Sequence, residues 1–172
     1  MLQWWGMLVL GIDPGTAITG YGLVHEEHGE LVLLGCGAIT TGSGRSLPER
    51  LAAIYRRVSQ LLTERRPDAL AVEQLFFSRN VRTALAVGQA RGVVLLAAAH
   101  AGLPVYDYTP QQVKQAIVGY GRAEKMQVQE MVRLVLRLEA LPEPDDAADA
   151  VAVAVCHLHS ARLLDLIAET EG

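Results

Sequence analysis

The chain has 172 residues and a formal net charge of −4, with 51% hydrophobic and 20% charged residues. That length supports one substantial core and excludes two domains of ordinary size, and the composition excludes a disordered chain. The acidic balance argues against a general nucleic-acid binder, but residues 77–133 carry seven bases against three acids, a local field sufficient to hold phosphates.

The first six residues read as a short extension without a basic n-region or cleavage site, and Met7 is an alternative start. No run of about eighteen uncharged apolar residues occurs, so no membrane span is expected. Cys36 and Cys156 lack paired or metal-ligand spacing and read as two buried thiols of a reduced, cytoplasmic protein. Residues 7–13 predict a strand buried on both faces, and residues 20–24 and 30–40 the next two strands, turned around Glu27-His28-Gly29. Ser46 with Glu49 three residues on is a capping box. It opens a helix whose Leu51, Ile54, Tyr55, Val58, Leu61 and Leu62 recur at helical spacing, and Arg65-Arg66-Pro67 ends it.

A short strand over 69–73 and a long helix over 80–101, stopped by Gly102 and Pro104, come next. Residues 104–108 predict a fifth strand, 110–118 a short helix and 123–138 another. Pro142 and Pro144 forbid continuation, and a last helix runs from Asp145, its cap, to about residue 166. The domain therefore spans 7–166, with 167–172 as a tail. Three hairpin-linked strands followed by strand–helix alternation imply an α/β fold, a mixed five-stranded sheet with helices on both faces. Ligands on such sheets gather at the carboxyl ends of strands.

Four acids stand out against this core. Asp13 closes the apolar run from Met7 to Ile12, and Glu73 closes Leu70-Ala71-Val72, where glutamate is uncommon. Asp146 and Asp149 lie three residues apart, on one face of an Ala/Val-rich and hence buried helix. Each has an ordinary alternative: a turn residue for Asp13, an arginine partner for Glu73, helix-dipole acids for the other two. Together, with no evident basic partners, they point to a hard divalent cation and to two-metal phosphoryl chemistry, with Asp13 as bridging ligand. Were Asp145 the ligand instead of Asp146, the spacing of four would still share a face.

Five motifs in order carry a resemblance over residues 7–164. They are Gly11-Ile12-Asp13-Pro14-Gly15-Thr16 with Thr19-Gly20-Tyr21-Gly22, Glu73-Gln74-Leu75-Phe76, Gly88-Gln89-Ala90-Arg91-Gly92, Gln112-Val113-Lys114-Gln115, and Asp146-Ala147-Ala148-Asp149-Ala150. Together they resemble the RuvC family of crossover-junction endodeoxyribonucleases. The resemblance implies a ribonuclease H-like fold and magnesium bound by Asp13, Glu73, Asp146 and Asp149, two ions per site, with manganese able to substitute. It implies a homodimer that nicks four-way DNA junctions symmetrically, leaving 5′-phosphate and 3′-hydroxyl ends, and works with the RuvA–RuvB branch-migration complex. It places a base-stacking phenylalanine at Phe76, with Phe77 beside it, and two lysines near the site at Lys114 and Lys125. Arg79, Arg82 and Arg122 are further expected DNA contacts.

Both phenylalanines could equally be core, and neighbours on an extended segment face opposite ways, so one inward and one outward is expected. Surface charge is the ordinary account of the two lysines, and a core or solvated place that of His157 and His159. The small-residue helix over 80–101 could face a partner copy or its own sheet. Competing functions are an actin-like sugar or acetate kinase, which needs two such halves, a junction-binding protein without cleavage, and a broader ribonuclease H-like nuclease.

Overall fold

The elements follow the expected order, and the pairing between them explains why the acids meet. The computed structural model describes residues 6–74 and 80–171. Strands β1 (Leu8–Asp13), β2 (Ile18–Glu27) and β3 (Glu30–Thr40) form an antiparallel meander. Helix α1 (Leu47–Arg65) leads to β4 (Ala69–Glu73), then α2 (Val81–His100) to β5 (Val105–Tyr108). Helices α3 (Pro110–Val118), α4 (Lys125–Val135) and α5 (Asp145–Glu171) complete the chain. The sheet order is β3-β2-β1-β4-β5, with β4 parallel to both β1 and β5. This is the mixed, five-stranded ribonuclease H-like α/β fold.

Alternation along β1 builds two cores. Leu10 and Ile12 face α1 and α2 and join Ile54, Val58, Leu70, Val72 and Val94. Val9 faces the other way and joins Val24, Ala71, Val113, Val132, Val151 and Val155 under α3, α4 and α5. The capping box of α1 forms as expected, Ser46 N–H donating to Glu49 Oε2 at 2.7 Å. Arg66 closes the helix in the left-handed region at φ 48°, just before Pro67.

Glycines let α5 press directly onto the sheet. A Cβ on Gly11 would lie 2.1 Å from the Ala150 carbonyl oxygen, and one on Gly20 only 1.9 Å from that of Asp146. Gly20 pairs with Asp13 across β1 and β2. The close approach at Gly20 therefore sets the first turn of α5 beside the end of β1.

Several boundaries differ from the sequence reading. Strand β2 is longer at both ends, because it pairs along its whole length with β3. Helix α4 starts at Lys125, where the Glu124 N–H donates to Gln127 Oε1 in a capping box, and it closes at Leu136, before Arg137 at φ 54°. Asp145 does not cap α5; the Pro144 carbonyl accepts from Ala147 and Ala148, and Asp145 is the first helical residue. Helix α5 also continues past residue 166 to Glu171, since no glycine or proline interrupts it. Cys156 is buried, whereas Cys36 on the edge strand β3 is only half-buried, and both are free thiols.

Helices α2 and α5 are long and apolar enough to cross a membrane by length and composition. Over residues 147–158 α5 is instead the central core helix. For α2 the outward side carries the apolar excess: Val81, Leu85, Gly88, Gly92, Leu96 and Ala99 are all exposed and fall at helical spacing along one stripe.

Candidate active site

Asp13 and Glu73 end neighbouring parallel strands. Ile12 is paired with Val72, so the next residue on each strand is an acid, and such strands lie about 4.8 Å apart. Both side chains are mostly buried. The loop behind Asp13 is fixed by the buried Thr19, whose hydroxyl donates to the Gly15 carbonyl at 2.6 Å, and by a short bond from the Thr41 hydroxyl to the Thr16 carbonyl. Helix α5, seated on Gly20, brings Asp146 and Asp149 to the same end of the sheet.

The electrostatics record this crowding. Burial first, then the charges of Glu73, Asp149 and Asp146, push the Asp13 carboxyl up to about 8. Asp13 hydrogen-bonds Glu73, which favours the proton on Asp13 and the charge on Glu73. Glu73 is itself raised, by burial and then by Asp149, against opposing pulls from the Asp13 hydrogen bond, Lys125 and Lys114. Asp149 is raised by burial, with Lys125 opposing. Carboxylates that resist ionisation together create a strong demand for cations.

Two lysines answer part of that demand. Lys125, the first residue of α4, donates to Asp149 Oδ2 at 3.1 Å and makes a shorter bond to Asp145 Oδ2. Burial works against its charge, but these two carboxylates outweigh it and hold its pKa above the ordinary value. The expectation that the acids lack basic partners is therefore corrected for Asp149. Lys114 on α3 is half-buried and acts on the Glu73 charge. Glu73, Lys114, Lys125 and Asp149 share the wall of one cavity of about 230 Å³, with Gln129 and Pro110.

Arg82 is exposed in the first turn of α2, and Arg122 is exposed in the turn before α4. Phe76, Phe77 and Arg79 lie outside the described residues. His157 is buried. Its Nδ1 lies 2.7 Å from the Tyr108 hydroxyl, and its ring packs on Tyr106 at 4.3 Å between centroids. His159 Nδ1 lies 3.2 Å from the Ala116 carbonyl. The sequence reading missed Gln129 altogether, and took Asp145 for a helix cap. Their signal was available: Lys125 and Gln129 are four residues apart and so share a helix face.

The donor set fits a hard divalent cation: four carboxylates, three of which (Asp13, Glu73 and Asp149) are raised above their ordinary range by burial and by one another. Among the described residues no group of three or more His, Cys, Asp or Glu side chains stands ready-made to hold a metal ion. The Lys125 ammonium supplies positive charge to Asp149 at the edge of this set.

Known proteins resemble this chain closely. A family model described as crossover junction endodeoxyribonuclease RuvC matches residues 9–157. The chain is 59% identical to the crossover junction endodeoxyribonuclease RuvC of Syntrophomonas wolfei over 157 residues, 91% of each chain. It is 55% identical to that of Desulfitobacterium hafniense over 159 residues, 92% of this chain and 96% of the relative. The solved structure of Thermus thermophilus RuvC in complex with Holliday junction substrate superposes with a TM-score of 0.88 at 44% identity, covering 91% of this chain and 96% of that one.

Proposed function

The chain belongs to the RuvC family of crossover junction endodeoxyribonucleases and is a Holliday junction resolvase of recombination and repair, and we propose that Asp13, Glu73, Asp146 and Asp149 are its catalytic metal ligands. The observation that carries this reading is the Asp13–Glu73 pair at the ends of adjacent parallel strands, with the Asp13 carboxyl pushed up to about 8 by burial and then by its acidic neighbours.

The preferred ions are Mg²⁺, with Mn²⁺ able to substitute, because the donors are hard oxygens, and four carboxylates are enough to hold two per site. When bound, such ions activate a water and stabilise the leaving oxygen of an in-line displacement. Asp13, Glu73, Asp146 and Asp149 would hold the ions, with Asp13, on the central strand, as the ligand shared between them. The water oxygen would bond to phosphorus and give up a proton as the bond to the 3′ oxygen breaks, and the 3′ oxygen would take a proton. The products are a 5′-phosphate and a 3′-hydroxyl. Lys114 and Lys125 supply positive charge at the cavity wall for the substrate phosphates. Arg82 and Arg122, with Arg79, extend the contact along the DNA backbone, and Phe76 or Phe77 stacks on bases opened at the junction.

Two symmetric nicks need two sites related by a dyad, which a C2 homodimer supplies. The exposed stripe of α2 from Val81 to Ala99 supports a contact between equivalent helices, since its glycines let backbones approach closely. The RuvA–RuvB complex is the expected partner that delivers junctions. The test is cleavage of a synthetic four-way junction against a matched linear duplex in Mg²⁺, using wild type, Asp13→Asn and Phe76→Ala. Paired ligatable nicks in the junction alone, absent with Asp13→Asn and unselective with Phe76→Ala, support the reading. Equal cutting of both substrates by the wild type would reduce the protein to a general nuclease.

A further inference from the structure

Asp145 is an acid beside the metal ligands that belongs to a different set of contacts. Its Oδ1 accepts from Gln129 Nε2 at 2.7 Å, and its Oδ2 accepts from Lys125 Nζ. Lys125 and Gln129 lie one turn apart on α4, so Asp145 spans both and ties that helix to the start of α5. The Lys125 ammonium is thus shared between Asp145, with 63% of its side chain exposed, and the more buried Asp149, at 29%. Exposed ion pairs add little stability. The consequence of this one lies in where it leaves Lys125.

We propose that Asp145 is a positioning residue: together with Gln129 it anchors the Lys125 ammonium at the rim of the acid cluster, so that Lys125 stays beside the reacting phosphate when Asp149 turns to a cation. The proposal rests on the reading of the four acids as cation ligands. Without Asp145, Asp149 is the one carboxylate among the described residues that still bonds Lys125. The ammonium then competes with the cation for Asp149, or its flexible stem swings out to solvent, and either result harms the reaction. Gln129 prevents Asp145 from following Lys125, because it fixes the second carboxylate oxygen. Supporting contacts of this kind are commonly worth about 10–100-fold in metal affinity or activity.

The test measures Ca²⁺ affinity by calorimetry and junction cleavage in Mg²⁺ for Asp145→Ala, Asp145→Asn, Gln129→Ala, Lys125→Ala and the double Asp145→Ala/Lys125→Ala. Asp145→Ala should weaken Ca²⁺ binding and lower kcat, each by about tenfold, with KM little changed. Asp145→Asn should recover most of both, since its carbonyl still accepts from Nζ, and Gln129→Ala should fall between. In the Lys125→Ala background, Asp145→Ala should change Ca²⁺ affinity little further. An equal loss of Ca²⁺ affinity in both backgrounds would mean that Asp145 acts only through its field, and would overturn the proposal. So would unchanged affinity and kcat in Asp145→Ala. Asp13→Asn separates the two levels: intact Ca²⁺ binding in that variant would overturn the acid site itself, whatever Asp145 does.

Discussion

Asp13→Asn should make the cation-free protein more stable at neutral pH while it abolishes cleavage. Folded Asp13 keeps its proton up to about 8, whereas the ordinary value is 3.8, the cause being burial and then Glu73, Asp149 and Asp146. A folded pKa above the unfolded one contributes stability that is complete below 3.8 and is lost as pH rises through about 8. At pH 7 the unfolded chain has released this proton and the folded chain has not. The interval from 3.8 to 7 corresponds to roughly 4 kcal/mol, an upper bound because Asp13 and Glu73 ionise together. Asparagine imposes no such cost and its amide can still donate to Glu73, so a gain of about 2 kcal/mol is expected at pH 7. Urea unfolding in the presence of a chelator, from pH 4 to 8, reads it directly. The gain should be near zero at the acid end and grow with pH, and added Mg²⁺ should stabilise the wild type alone. A variant no more stable than wild type at pH 7, or a gain independent of pH, would refute the crowding argument.

Gly20→Ala should lose both stability and cleavage, since its Cβ would lie 1.9 Å from the Asp146 carbonyl oxygen and push α5 off the sheet. A loss of roughly 1–3 kcal/mol is expected by thermal unfolding. Leu96→Arg, on the exposed stripe of α2, should leave the Ca²⁺ affinity of the acid site unchanged while light scattering reports a monomer and paired nicking stops. His157 should add a fall in stability as pH drops below 6.5, because burial lowers its folded pKa and the unfolded chain protonates first. His157→Gln, whose amide can pair with the Tyr108 hydroxyl as donor or acceptor, should lack that fall, read as the difference between variant and wild type because Asp13 acts in the opposite sense there.

Local signals in the chain were strong enough to place every element. Ser46 and Glu49 announced α1, Pro67 its end, and the apolar runs before Asp13 and Glu73 marked two strands ending in acids. The three-residue spacing of Asp146 and Asp149 placed both on one face of a buried helix. Boundaries slipped where a distant partner decided them. Pairing with β3 lengthened β2. The start of α4 slipped for a local reason, the Glu124–Gln127 pair at its N-terminus, which was legible in the sequence.

The chain by itself determined which residues could do chemistry: four acids at element ends, two lysines in all, and a resemblance carried by ordered motifs. Only the tertiary structure decided which of them meet. Ile12 pairs with Val72 across sixty residues of sequence, Gly20 receives the Asp146 backbone, and Lys125 reaches Asp145 and Asp149 from a separate helix. Helical periodicity and caps act over three or four residues and are written locally. Parallel strand register, the close seating of a helix on glycines, and the field of one acid on another depend on distances in space, which exist only once the chain has folded.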